Sequence, residues 1–124
     1  MNARRVLYVD AAGAAVSAVI LACVLAPRVD AFGMPRTVAL GLAAAPAAFL
    51  AWDLAHAARR SARHVWALRA VAYANASYAV VSGLLLVVHA EHLRPLGWAY
   101  FLGEIAVLVE LVAWELRVAR EDAT

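Results

Sequence analysis

VWALRAVAYANASYAVVSGLLLVV, residues 65–88, decides the fold. Arg69 is the single charged residue in the run, and a helix needs about 20 predominantly apolar residues to cross a hydrocarbon layer of about 30 Å. Working outward, three more stretches of this kind are found, at about 6–26, 37–56 and 98–116. Pro27, Arg28, Asp30 and the turn residues Gly33-Met34-Pro35 separate the first from the second. Residues 57–64, AARRSARH, form a short basic loop before the third, and His89, Glu91, His92, Arg94 and Pro95 lead into the fourth. Pro46 lies inside the second stretch, where it frees a backbone carbonyl and predicts a kink. Arg117 to Thr124 read as a charged tail.

Composition agrees. Of the 124 residues, 66% are hydrophobic and 16% charged, which is too little polar surface to cover a globule in water. The expected fold is all-α: one domain, residues 1–124, built as an up-down bundle of four transmembrane helices. Small residues that let helices approach closely in lipid are plentiful, at 11–15, 41–48 and 70–79. No internal repeat emerges. The first stretch is too long for a signal-peptide core and is interrupted by Asp10, so it reads as a retained helix.

All eleven basic residues are arginine. They lie at the ends of apolar runs, as topology signals do, and not on one face as a nucleic-acid footprint would require. Placing the N-terminus inside puts Arg4, Arg5, Arg59, Arg60, Arg63, Arg117 and Arg120 in cytoplasmic segments, against Arg28, Arg36 and Arg94 outside. The expected topology is N-in, C-in, in the inner (cytoplasmic) membrane of a bacterium, with the bilayer as solvent. Trp52, Trp66, Trp98 and Trp114 fall near helix ends, where indole rings favour the interface.

The single cysteine, Cys23, cannot form an intrachain disulfide and reads as a packed thiol. His56 and His64 flank the basic loop, and His89 and His92 sit at the other boundary, so all four read as solvated. Facing histidines at matched depth, which a transmembrane haem would need, are missing. No cofactor and no metal is expected.

The informative residues are the polar ones within spans, each costing about 2.5–3.5 kcal/mol near a helix centre on insertion scales. Depth groups Asp10, Asp53, Arg69, Glu110 and Glu115 in one inner layer, with Asn75 nearer the middle and Glu104 in the outer half of the fourth span. Helical phase puts Asp10, Gly13 and Ser17 on one face, with Val6, Val16 and Val19 elsewhere. Asn75, Tyr78 and Ser82 share another, and Glu104 and Glu115 share a third with Leu108 and Leu111. Glu110 points about a third of a turn away, toward a second neighbour or a partner subunit.

Burial disfavours the charged form of a carboxyl, and a nearby cation favours it. A pair split in this way can run general acid–base chemistry. The candidate catalytic residues are Asp10 with Glu110 or Glu104, and Asn75. Tyr78, Arg69, Ser17 and Asp53 are the candidate substrate-binding residues. The bland reading is that Asp10, Asp53 and Glu115 snorkel to the interface or pair with arginine, and that Asn75 is an interhelical hydrogen bond.

RRVLYVDAAG (4–13), RAVAYAN (69–75) and the closing Glu115-Leu-Arg117 resemble a large group of small bacterial four-span integral membrane proteins. The resemblance covers nearly the whole chain and implies the fold but no activity. A looser similarity, of chemistry only, is to membrane-embedded isomerases and terpene cyclases, which protonate an alkene or epoxide with buried carboxyl groups among aromatic rings. The reading that follows is a membrane-embedded isomerase or cyclase acting on an apolar, lipid-like or isoprenoid substrate. The alternatives are a small proton-coupled transporter, expected as a homo-oligomer, and an accessory subunit of a larger membrane complex.

Overall fold

The computed structural model describes residues 2–59 and 64–123; part of the expected basic loop, residues 60–63, therefore lies outside the described residues. Helix α1 (Ala3–Ile20) begins at Asn2, whose side-chain oxygen accepts from the Arg5 N–H at 3.0 Å and caps the first turn. A π-helical turn, Leu21–Leu25, carries the same rod onward. A one-turn helix, α2 (Val29–Phe32), occupies the connection and ends on Gly33 in the left-handed conformation, φ 82°. The long helices α3 (Arg36–Ala57), α4 (His64–Val88) and α5 (Pro95–Ala123) follow.

Four rods, Ala3–Leu25, Arg36–Ala57, His64–Val88 and Pro95–Asp122, are long and apolar enough to cross a membrane. The all-α four-helix bundle read from the sequence is therefore the observed architecture. One boundary differs: the expected charged tail is helical to Ala123. Its Val118 and Ala119 are buried against Ala3, Val6 and Leu7, and Asp122 Oδ2 accepts from the Ala3 N–H at 3.0 Å. Packing on α1 thus extends the helix past the point where hydropathy falls.

The bundle consists of two antiparallel hairpins. Helix α1 packs most extensively on α3, and α4 on α5. Cross-bonds gather at the end that carries both termini. Arg4 Nε donates to the Ala57 carbonyl at 2.7 Å, satisfying a carbonyl of the last turn of α3. Trp52 Nε1 donates to the Ala67 carbonyl at 3.2 Å, joining α3 to α4.

At the opposite end α2 seats on the start of α5. The Phe32 carbonyl accepts from the Arg94 N–H at 3.1 Å. Gly97 allows this approach, since a Cβ there would lie 2.1 Å from the Phe32 carbonyl oxygen.

Two apolar cores result. Ala3, Val6, Leu7, Ala57, Ala67, Leu68, Val71, Val118 and Ala119 fill the terminal end. Leu21, Leu25, Phe32, Met34, Leu42, Leu86, Leu93 and Phe101 are among those filling the other. What separates them is polar.

Candidate functional site

Each spanning helix contributes one buried polar side chain to the level between the cores. They are Asp10 (2% exposed), Asp53 (0%), Asn75 (3%) and Glu115 (0%). Each lies one turn to a few residues from core residues on its own helix: Val6 and Leu7, Ala57, Val71, and Val118. Facing the axis is thus forced on all four by the packing of their neighbours.

Asn75 is the link. Its Nδ2 donates to Asp10 Oδ1 at 2.8 Å and to Glu115 Oε1 at 3.2 Å. Asp53 lies beside Asp10. The other oxygen of Asp10, the other oxygen of Glu115 and both oxygens of Asp53 have no hydrogen-bond partner among the described residues. Three carboxyl groups thus gather around one amide: Asn75 bridges Asp10 and Glu115, and Asp53 lies beside Asp10.

Beside it, α1 and α5 part. Together at the terminal end through Ala3 and Asp122, they are separated further along by a cavity of about 610 Å³. Ala12, Gly13, Val16 and Ser17 form one wall with Gly103, Glu104, Val107 and Leu111 opposite, while Pro46, Phe49, Asn75 and Tyr78 form the floor. Several of the wall residues, including Val16 and Val107, are exposed on the outer face of the bundle. The cavity therefore opens sideways, where lipid chains would lie. Its volume is within the roughly 300–1,000 Å³ usual for small-molecule sites.

The two ends of the cavity differ. Asp10 and Asn75 close one. The other holds Glu104, around which the hydroxyls of Tyr100, Ser17 and Tyr78 gather closely enough to interact. Glu104 Oε2, the Tyr78 hydroxyl and the nearby Ser82 hydroxyl are buried with no hydrogen-bond partner among the described residues. Asp10 and Ser17 are seven residues apart on α1, so the two ends lie roughly 10 Å apart at about 1.5 Å per residue.

Of the residues singled out in the sequence, Asp10, Asn75, Tyr78, Ser17 and Glu104 all line this cavity. Asp53 stands behind Asp10 and does not reach it. Two do not join the site at all. Arg69 and Glu110 are exposed on the outside of α4 and α5, so shared depth did not bring them to the axis. Two smaller expectations also change: Val6 is fully buried in the terminal core, and Cys23 is exposed instead of packed. Tyr100 and Phe49 are additions. Tyr100 stands one helical turn before Glu104, the spacing at which side chains share a face, and that signal could have found it.

The fold and this interior define a multi-pass membrane protein with a largely apolar, laterally open cavity that has a carboxyl group at each end. Comparison with protein families, with curated proteins and with solved structures finds no match to the chain.

Proposed function

We propose that the protein is a membrane-embedded acid–base enzyme, of isomerase or cyclase type, acting on an apolar lipid-like or isoprenoid substrate. The observation that carries this reading is the cavity of about 610 Å³ with a carboxyl side chain at each end, Asp10 and Glu104. A substrate dissolved in the bilayer enters between α1 and α5 without crossing water. Asp10 delivers a proton to the electron pair of a substrate double bond, leaving a carbon cation. Asn75 fixes the Asp10 carboxyl, and Asp53 and Glu115 resupply it. A carbon near the other end then loses a proton to Glu104, and the electrons of that C–H bond form the new double bond. One proton is gained and one lost, so the product is an isomer of the substrate. Tyr78, Tyr100 and Phe49 line the cavity, and aromatic rings can stabilise the intermediate cation.

The arginine distribution favours both termini on the cytoplasmic side of a bacterial cytoplasmic membrane. The cluster of Asp10, Asp53 and Glu115 then lies in the cytoplasmic half of the bilayer.

The test compares lipid extracts of cells without the protein and cells making wild type, Asp10→Asn, Glu104→Gln or Glu110→Gln at equal membrane levels. One species should be converted by wild type and Glu110→Gln, and left unconverted by the other two. Unaltered extracts in every strain would sink the enzyme reading.

One observation favours a second reading, a small proton-coupled transporter working as a homo-oligomer. Glu110 is exposed on the outside of a spanning helix, a position that is costly against lipid and relieved by a second copy. That reading requires an oligomer in native membranes whose assembly depends on Glu110.

A further inference from the structure

We infer that the Glu104 end of the cavity is a binding subsite for a lipid-soluble ammonium ion, with the rest of the cavity taking its hydrocarbon tail. The inference needs no reaction and goes beyond the enzymatic reading.

The neighbours of Glu104 are the hydroxyls of Tyr78, Tyr100 and Ser17. Hydroxyls can donate to a carboxylate and can accept from a donor, so the end of the cavity is polar. No cation is given there by the described residues: Arg69 is exposed on another helix, and no ion pair is found at Glu104. Glu104 and Tyr78 both line this end of the cavity, and one oxygen of the carboxyl and the Tyr78 hydroxyl are buried with no hydrogen-bond partner among the described residues.

The walls reinforce the choice of ligand. Phe49 and Tyr78 meet edge to face, with ring centroids 6.2 Å apart, and Tyr100 lines the same cavity from α5. Aromatic faces attract a cation electrostatically and have no comparable attraction for an anion or a neutral alcohol. A carboxylate flanked by such rings, in surroundings of low dielectric, selects positive charge. The remaining walls, chiefly Ile20, Val107, Leu108 and Leu111, are aliphatic and suit an alkyl chain. Because the cavity opens sideways, the amphiphile arrives from the bilayer.

The experiment uses the full-length protein in lipid nanodiscs and three probes with one chain length: dodecyltrimethylammonium, dodecanol and dodecyl sulfate. Binding is read by quenching of intrinsic aromatic fluorescence and confirmed by competition with a labelled ammonium amphiphile. The ammonium probe should bind at least about tenfold more tightly than either other probe. Glu104→Gln should erase that preference while dodecanol binding persists, and Glu104→Asp should retain part of it. The trimethylammonium group has no N–H, so the preference reports charge and not hydrogen bonding.

Equal binding of the three probes by wild type would overturn the inference without recourse to any variant. So would loss of the preference in Asp10→Asn with Glu104→Gln unaffected, since that places the cation at the other end. The enzymatic reading fails separately, by absence of conversion, and ammonium binding stands or falls regardless.

Discussion

Asn75 holds Asp10 by a hydrogen bond from Nδ2 to Oδ1 at 2.8 Å, across the interface between α4 and α1 and beside the cavity. The same nitrogen reaches Glu115 at 3.2 Å, so one amide ties two hairpins together through acidic groups. Asn75→Leu should lower stability by about 3 kcal/mol, since it removes donors to two buried carboxyls and leaves both without them. Unfolding in mixed micelles measures this. A loss within about 0.5 kcal/mol, the range of ordinary surface substitutions, would mean that the contact does not bind the hairpins.

The contact of α2 with α5 is steric at Gly97. Gly97→Ala should destabilise the bundle by about 1–3 kcal/mol, the usual cost of overpacking. Gly13→Ala should cost far less, because no atom lies within 4 Å of a Cβ at that position. Thermal unfolding of the two variants in one detergent compares them directly.

Gly13 and Gly103 face each other across the mouth of the cavity, and a Cβ on either meets nothing within 4 Å. Leucine at either place fills the mouth without disturbing a core. Gly13→Leu and Gly103→Leu should each cut conversion of the lipid substrate at least about tenfold, corresponding to about 1.4 kcal/mol, with unfolding unaltered. Conversion at the wild-type rate in both would show that substrate does not enter between α1 and α5.

The termini should lie on the cytoplasmic side. A reporter that fluoresces only in the cytoplasm, fused after Thr124, should be bright, and one that is active only outside should be silent. The reverse pattern would invert the bundle and place Asp10, Asp53 and Glu115 in the outer half of the membrane.

The sequence carried much of this interior, and the reasons are particular. Asn75, Tyr78 and Ser82 are spaced as one helical face, and all three are buried. Glu104 and Glu115 are separated by about three turns, and both turn inward. Arg69 was misplaced because it was grouped by depth alone. Six residues before Asn75, at about 100° per residue, it lies about 120° round the helix from the axis-facing side. Glu110, five residues from Glu115, is rotated about 140° from it by the same count. Its displacement was legible; what it faces was not.

Neither the parting of α1 from α5 nor the meeting of Asp10 with Asp53 was legible, because both depend on how two hairpins dock. No periodicity within one helix encodes that. The helical extension to Ala123 was hidden for a similar reason: it is held by contacts with Ala3, Val6 and Leu7 at the other end of the chain.

In the proposed reaction Asp10, resupplied by Asp53 and Glu115, passes a proton to a substrate in the bilayer. Membranes containing the wild-type protein, incubated in D2O with lipids from cells lacking it, test this by mass spectrometry. One lipid species should acquire carbon-bound deuterium, at a rate unaltered in Glu110→Gln and lost in Asp10→Asn of equal stability. Labelling that persists in Asp10→Asn, or no labelled lipid with the wild-type protein, would contradict the claim.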